Sequence, residues 1–166
     1  MCGDLPEGAR RVQQFLFERG SAAVVRLLPE TTATAQDAAS ALGVSVSQIG
    51  KSIVFAGESE TLVAIACGDQ RIDAQALARA ADVAEVKPMR ADAVRRSTGY
   101  VIGGVSPFGL PAAVRIFIDS RLLDFTECYV AAGHPKAIVQ IAPDELVAIT
   151  GAVVSPIALK VQSEQS

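Results

Sequence analysis

Residues 51–66 read KSIVFAGESETLVAIA, which is two apolar runs separated by a short polar segment. Ile53, Val54 and Phe55 in the first run, and Val63 and Ile65 in the second, are typical of buried β-strands. The intervening GESE at 57–60 is typical of a turn, and it is longer than the tightest hairpin loops. The stretch therefore predicts an antiparallel hairpin with strands at 51–56 and 61–66.

On both sides of this hairpin, helical and extended patterns alternate without a regular βαβ rhythm. Thr34 is placed to cap a helix that Gly43 ends, and Asp73 to cap another. Several predicted strands are adjacent along the chain, which favours a mixed or antiparallel sheet and an α/β (α+β) fold. Predicted helices cover 7–20, 34–42, 73–81, 91–97 and a segment from 143, with helical turns at 45–49 and 120–123; further strands cover 22–28, 83–86, 114–118, 128–132, 137–141 and 153–154.

Length and composition indicate one domain over residues 1–166, with its core at about 22–160. Hydrophobic residues make up 50% of the chain and charged residues 20%, which excludes a disordered or coiled-coil chain. The formal net charge is −3, whereas proteins that grip a long duplex usually carry a positive field. We therefore expect no DNA partner, although a small local contact with nucleic acid remains compatible.

Neither a metal centre nor a membrane anchor is expected. Cys2, Cys67 and Cys128 do not have the spacing of metal ligands, and their odd number argues against a disulfide framework. No apolar run reaches the roughly 18 residues of a membrane span. The N-terminus lacks the pattern of a signal peptide, so the expected location is the cytoplasm.

The segment 99–111 is a glycine-rich and proline-rich loop, GYVIGGVSPFGLP. Glycines at Gly103 and Gly104 would let a ligand approach backbone amides, and Pro107 would stiffen the end of the loop. The loop lacks the Gly-Lys-Ser/Thr ending of a phosphate-binding Walker loop and does not open a dinucleotide-type helix, so it supports neither ATP nor NAD. A plain connection between two elements is the alternative interpretation.

Three further side chains could contribute chemistry, and each also has a structural interpretation. Lys51 at the start of an apolar strand could hold a phosphate or carboxylate, or could be a solvated strand-edge lysine. His134, the only histidine, could contact a substrate carbonyl or orient a water, or could be a turn residue. Asp69 could contact water or an amine, or could be a turn or capping residue.

A basic stretch follows the predicted strand at 83–86, with Lys87, Arg90, Arg95 and Arg96 near Asp92. Such runs are usually solvated helix faces. On an acidic protein, this run is also the best candidate for a local contact with phosphates.

These segments together resemble the YbaK / prolyl-tRNA synthetase-associated editing-domain family. The resemblance rests on STGYVIGGVSPFG at 97–109, with QIGKS at 48–52 upstream and AGH at 132–134 downstream. GDQRID at 68–73 and PDEL at 143–146 match in order, so the resemblance covers about residues 32–154. It implies a domain around a mixed, partly barrel-like sheet flanked by helices, which acts in trans as an aminoacyl-tRNA deacylase without a metal or other cofactor.

The resemblance also implies roles for individual residues. Lys51 would anchor the terminal adenosine phosphate or steer the aminoacyl end, and the loop from Gly103 through Gly104 would stabilise the oxyanion. His134 matches a histidine found in part of the family, whereas the Cys-tRNA branch often has a lysine there. Ser106, Pro107, Gly133 and Asp69 would contact the substrate; Arg90, Arg95 and Arg96 would contact tRNA.

The expected substrate is the acceptor end of a mischarged tRNA, most naturally tRNA for proline carrying a small residue such as alanine or 2-aminobutyrate. Prolyl-tRNA synthetase is the expected protein partner. A positioned water or the adjacent ribose hydroxyl would attack the activated ester. Three alternatives remain: a Cys- or Ser/Thr-tRNA deacylase, a non-catalytic module that binds a nucleotide or tRNA end, and a hydrolase of small esters.

Overall fold

A mixed β-sheet forms the centre of this computed structural model, which describes residues 4–29 and 34–159. The strands are β1 (Val25–Leu27), β2 (Ile49–Ala56), β3 (Thr61–Cys67), β4 (Lys87–Pro88), β5 (Arg115–Asp119), β6 (Cys128–Ala131), β7 (Ala137–Ile141) and β8 (Val153–Ser155). Their order in the sheet is β1-β7-β6-β2-β3-β5-β8, and β4 pairs with β2 beside this path. Pairs β2–β6, β3–β5 and β5–β8 are parallel, and the other pairs are antiparallel.

Five α-helices surround the sheet, and several have the caps that the sequence predicts. Thr34 accepts a hydrogen bond from the Asp37 amide, and Asp73 accepts from the amides of Gln75 and Ala76. The helices are α1 (Glu7–Glu18), α2 (Ala35–Leu42), α3 (Ala74–Ala81), α4 (Ala91–Thr98) and α5 (Pro143–Thr150). Shorter 3₁₀ turns lie at Val46–Gln48 and Ser120–Asp124.

The buried side chains form three clusters on the two faces of the sheet. The largest includes Val12 and Leu16 of α1 and Leu146 of α5, so burial extends N-terminal to residue 22. A second cluster packs α3 against strands β2, β3 and β5, and a third packs α2 against β2, β6 and β7. These contacts confirm the predicted class, a single α/β domain with a mixed sheet flanked by helices.

Two predicted strands differ from the observed ones. The strand expected at 83–86 is wrong, because the chain there turns and Val83 and Val86 pack against the α3 cluster instead of joining a ladder. The strand expected at 22–28 is shorter, since the Gln13 side chain bonds the Ala23 carbonyl at 3.2 Å and the Val25 amide at 2.8 Å. A helix side chain thus satisfies backbone groups that the pattern assigned to a sheet.

Candidate active site

The edge of β2 opposite β3 changes partner along its length. It pairs with β6 only at Ile49 and Gly50, and with β4 only at Phe55 and Ala56. The Met89 amide also donates to the Val54 carbonyl at 2.9 Å. Between these two ladders, β2 and β6 separate, and the separation opens a cleft.

The cleft has a volume of about 340 Å³. Its walls are mostly apolar and come from β2, β6, β7, α2 and the glycine-rich loop, and Lys51 is the charged residue among them. No carboxylate from the described part of the chain lines it. The lining residues are Leu28, Thr34, Ala35, Ala38, Ile49, Gly50, Lys51, Ser52, Gly103, Val105, Ala131, Pro135, Ala137 and Ile138.

Lys51 is half-buried at this cleft. Its Nζ donates a hydrogen bond to the carbonyl of Gln70 at 2.6 Å. Gln70 is itself buried, and its side chain accepts from the Cys67 amide at 3.2 Å. The ammonium is therefore held at the end of β3 by a main-chain acceptor and without an ion pair among the described residues.

The glycine-rich loop is held in place by Arg11 of α1 and by a hydrogen bond within the loop. Arg11 of α1 donates to the Thr98 carbonyl at 3.1 Å and to the Gly109 carbonyl from Nε at 3.0 Å. The same guanidinium lies 4.4 Å from the centre of the Tyr100 ring. The Tyr100 hydroxyl donates to the Phe108 carbonyl at 2.5 Å. Both ends of the loop are thus tied to α1 and to each other.

Gly104 allows the loop to pack directly on the turn that follows β6. A Cβ at Gly104 would lie 2.8 Å from the backbone N, Cα and C of His134. The Gly104 carbonyl accepts from the Gly133 amide at 3.0 Å, and the Gly104 amide donates to the Val101 carbonyl at 2.9 Å. Since both polar groups of Gly104 are engaged, Gly104 holds the wall of the cleft.

The His134 side chain stabilises this same turn. Its Nδ1 accepts a hydrogen bond from the Lys136 amide at 3.1 Å, which leaves Nε2 as the protonated nitrogen of the neutral ring. The next residue, Pro135, lines the cleft opposite Gly103. His134 itself is not part of the lining, so the structure brings its backbone to the site and uses its ring to shape the turn.

Gly103 and Gly133 both have backbone angles that disfavour a side chain. Gly103 has φ +91° and lies at the exposed mouth of the cleft. Gly133 has φ +89°, and a Cβ there would lie 2.3 Å from the carbonyl oxygen of Gly8 in α1. Gly103 therefore borders the cleft, whereas Gly133 is enclosed between α1 and the loop.

Ser106 and Pro107 lie away from the cleft. Ser106 is fully buried, and its Oγ accepts from the Phe108 amide at 3.2 Å. Pro107 lines a different cavity of about 310 Å³, beside Phe15 and Arg19. The structure does not bring these two side chains to the cleft that Lys51 and Gly103 share.

Asp69 forms an ion pair outside the cleft lining. Arg121 approaches it at 2.9 Å, and the Ser47 hydroxyl donates to it at 2.8 Å. Partial burial alone would raise the pKa of Asp69, but the hydrogen bonds from Arg121 and Ser47 outweigh it and lower the pKa. The hydrogen bond with Asp69 in turn raises the pKa of Arg121. Asp69 is thus an ionised partner of Arg121.

The three predicted tRNA-contacting arginines lie on the surface at α4. Arg90, Arg95 and Arg96 are all exposed. Arg96 pairs with Asp92 at 3.4 Å, one helical turn away. Pairs of this exposed kind contribute little to stability, so the side chains are available to solvent or to a polyanion.

The chain offers no activated thiol near the cleft within the described residues. Burial raises the pKa of Cys67 to about 11 and that of Cys128 to about 12. Both thiols are therefore protonated near neutral pH and are poor nucleophiles. Cys2 lies outside the described residues.

Several cleft residues were not singled out from the sequence: Gly50, Ser52, Val105, Ala131 and Pro135. Ala131 and Val105 resemble ordinary core positions in the linear pattern. Gly50 and Ser52 flank Lys51 in the sequence, and this adjacency could have indicated that they also line the site. A Cβ at Gly50 would lie 2.8 Å from Val130, so β2 and β6 meet closely there before they separate.

A small apolar cleft beside a lysine and a glycine loop agrees with the result of comparison with protein families. Residues 29–149 match the family model described as the aminoacyl-tRNA editing domain. The chain belongs to this family. It is accordingly a hydrolase of aminoacyl-tRNA esters, which confirms the predicted enzyme class.

Individual relatives support the assignment. The chain is 34% identical to the uncharacterised YwhH of Bacillus subtilis over 70% of this chain and 74% of that protein. It is 26% identical to EbsC of Enterococcus faecalis, a candidate Cys-tRNA(Pro)/Cys-tRNA(Cys) deacylase, over 76% of this chain and 78% of that protein. A match to proline–tRNA ligase of Citrifermentans bemidjiense, at 32% identity, covers 52% of this chain and 15% of the ligase.

Solved structures have the same fold. A candidate trans-editing enzyme for prolyl-tRNA synthetase superposes with a TM-score of 0.89 at 37% identity, covering 95% of this chain and 100% of that one. The hypothetical protein APE2540 superposes with a TM-score of 0.84 at 31% identity, covering 90% and 99%.

The described residues show neither a membrane-spanning helix nor a metal-binding cluster. No helix in 4–29 or 34–159 is long and apolar enough to cross a membrane. The same residues contain no cluster of three or more His, Cys, Asp or Glu side chains able to hold a metal ion.

Proposed function

We propose that the protein hydrolyses, in trans, the ester of tRNA for proline that carries a small wrong amino acid such as alanine or 2-aminobutyrate. The observation that carries the proposal is the cleft, whose volume of about 340 Å³ is near the lower end of ligand pockets. Its small apolar lining from Ala35, Ala38, Ala131 and Ala137 suits a short aliphatic acyl group.

Lys51 has the chemistry to position the end of the tRNA. A lysine carries a compact charge on a flexible stem with three donors, so it can bind a phosphate while keeping one existing hydrogen bond. Its contact with the Gln70 carbonyl leaves donors free to bind the terminal adenosine phosphate or to steer the aminoacyl end. The one charge among the described lining residues would thus orient a mostly apolar site.

The ester needs little covalent help, because an aminoacyl ester is already activated. A positioned water attacks the acyl carbon; attack by the adjacent ribose hydroxyl would only transfer the acyl group to the other ribose oxygen, from which water must still release it. With water, the ester oxygen departs as the ribose hydroxyl and the free amino acid is released. The N–H groups of Gly103 and Val105 would stabilise the oxyanion, because neither donates to an acceptor within residues 4–29 and 34–159. The amide of Gly104 is already engaged by Val101.

The remaining predicted residues would act at greater distance. His134 and Gly133 would hold the turn that presents Pro135 to the acyl group, and Ser106 and Pro107 would set the shape of the loop. Asp69 would act through Arg121 at the end of β3. Arg90, Arg95 and Arg96 would contact the acceptor-stem phosphates, which requires only a few cations on an acidic protein.

The need for such an enzyme follows from the limits of binding selectivity. A synthetase pocket gains only about 1–3 kcal/mol from one methylene, so amino acids near proline in size are misactivated. A second, small pocket can hydrolyse these products while excluding the correct one. The match to part of a proline–tRNA ligase supports tRNA for proline as the substrate and prolyl-tRNA synthetase as a partner.

The test is a panel of tRNAs mischarged with alanine, 2-aminobutyrate, serine, threonine or cysteine, each assayed for hydrolysis. We expect the fastest turnover with alanine or 2-aminobutyrate on tRNA for proline. Lys51→Ala should abolish turnover while the fold is retained, and Arg79→Ala, which removes an exposed cation of α3 outside the predicted tRNA contacts, serves as the control. Unchanged turnover in Lys51→Ala would contradict the role of this lysine.

The second candidate is a Cys-tRNA deacylase, which the similarity to EbsC favours. The same panel separates the two candidates. Preferential hydrolysis of the cysteinyl ester would support this candidate and exclude a preference for small aliphatic acyl groups.

A further inference from the structure

The main-chain N–H and C=O of Ser52 face the cleft, and the strand pairing of β2 determines their direction. In the β2–β3 ladder, Lys51 pairs with Ala66 and Ile53 with Ala64. The Gly57 amide bonds the Glu60 carbonyl in the same ladder, so the odd-numbered β2 residues direct their polar groups toward β3. The Val54 carbonyl, which accepts from Met89, points to the opposite edge. Ser52 shares the phase of Val54, so its N–H and C=O also point to that edge.

At Ser52, this edge pairs with no strand in the described part of the chain. The ladder to β6 ends at the Gly50–Val130 pair, and the ladder to β4 begins at Phe55. Continuation of the β6 ladder would join the Ser52 amide to the Ala131 carbonyl, but the register stops before that bond. Within the described ranges, the N–H and C=O of Ser52 and the C=O of Ala131 therefore have no partner, and both residues line the cleft.

We propose that this gap recognises the α-ammonium group of the acyl substrate, an inference that rests on the proposed function. The carbonyls of Ser52 and Ala131 supply two acceptors for an ammonium, and the Ser52 N–H supplies a donor for a neutral oxygen of the same substrate. An aminoacyl ester carries this combination of a cationic donor and an adjacent carbonyl oxygen. The chemical class that fits the gap is an α-amino acyl group.

The charges of the cleft support carbonyl recognition. An α-ammonium usually pairs with a carboxylate, but the described lining contains none and includes Lys51. The Lys51 ammonium is drawn to the Gln70 carbonyl, on the other side of β2 from the Ser52 side chain. Main-chain carbonyls provide negative potential for an α-ammonium, and they do so without dependence on the acyl side chain. This suits an enzyme that must accept more than one small amino acid.

The test measures binding, so that it does not depend on turnover. The probes are two stable amides of 3′-amino-3′-deoxyadenosine, one acylated with alanine and the other with lactate, which replaces the ammonium by a hydroxyl. We expect the alanyl compound to bind at least about tenfold more tightly by calorimetry, since hydrogen bonds to a charged group are stronger than neutral ones. Equal affinities, or no binding of either probe, would overturn the proposal.

Ser52→Ala is the matched variant, because it removes the hydroxyl and leaves the main-chain groups in place. The Ser52 Oγ is buried and has no hydrogen-bond partner among the described residues. It is therefore the other group of Ser52 that could hydrogen-bond to the substrate. The tenfold preference should persist in Ser52→Ala. Its loss would assign recognition to the hydroxyl and overturn the main-chain proposal. Failure of the proposed function is measured separately, as absence of hydrolysis across the mischarged tRNA panel.

Discussion

Replacement of Arg11 by alanine tests whether the glycine-rich loop is held from α1. Arg11 donates hydrogen bonds to the carbonyls of Thr98 and Gly109 and stacks on Tyr100. A hydrogen bond to a charged group contributes about 1.5–3 kcal/mol, and a cation–π contact at a partly exposed site about 0.5–1 kcal/mol. Because Arg11 is half-buried, water replaces part of this, and we expect a loss of about 2–4 kcal/mol in the free energy of unfolding.

The measurement is thermal unfolding followed by circular dichroism, with deacylation assayed in parallel. For a chain of this length, each kcal/mol corresponds to roughly 2–4 °C, so Tm should fall by about 5–15 °C. Deacylation measured well below Tm should also fall, because Gly103 and Val105 lie on the loop that Arg11 ties down.

Arg10→Ala is the matched control for this experiment. Arg10 precedes Arg11 in the same helix, is exposed, and makes one 3.3 Å hydrogen bond to the Leu5 carbonyl. Its loss should change stability by less than about 0.5 kcal/mol. If the two variants unfold at the same temperature and retain equal activity, then Arg11 does not anchor the loop.

Three further perturbations address the rest of the site. Gly104→Ala should lower the free energy of unfolding by about 1–3 kcal/mol and should also lower deacylation, because its methyl group would lie 2.8 Å from the His134 backbone. An unfolding curve equal to that of the wild type would contradict this packing. His134→Asn should retain more activity than His134→Ala, since an asparagine can still accept from the Lys136 amide; equal and complete loss in both variants would instead indicate imidazole chemistry. Asp69→Asn should destabilise the protein at pH 7, since the pKa of Asp69 is lowered by the hydrogen bonds from Arg121 and Ser47. A lowered folded pKa contributes stability above the unfolded pKa of about 3.9, and this stability is lost as the pH falls through the folded pKa. Urea unfolding of wild type and variant should therefore converge as the pH falls below about 3.9.

Local signals in the sequence predicted most of the elements around the sheet. Thr34, Asp73, Gly43 and Gly99 mark helix ends by hydrogen bonding and by positive φ, which are effects of a few neighbouring residues. The hairpin of β2 and β3 followed from its apolar runs in the same way. The segment at 83–86 failed because an apolar valine is equally suited to a strand and to packing against a helix.

The cleft itself could be predicted only in part. Lys51 and Gly103 were expected to share a site, because the family resemblance links their motifs, and both line the cleft. The separation of β2 from β6 leaves no mark in the linear pattern, since it depends on which strand pairs with which edge. The anchoring of the loop by Arg11 joins positions 87 and 98 residues apart, which no local periodicity encodes.

The glycines of this site illustrate why residue type alone did not determine role. Gly103 and Gly104 are adjacent in sequence and were assigned the same oxyanion function. In the fold, Gly103 borders open space at the mouth of the cleft, whereas both polar groups of Gly104 are used to join the loop to the turn at Gly133. A polar backbone group can serve a substrate only if the fold leaves it without a partner. The same criterion selects Ser52, where the fold interrupts a ladder and leaves main-chain groups facing the space that the acyl group would fill.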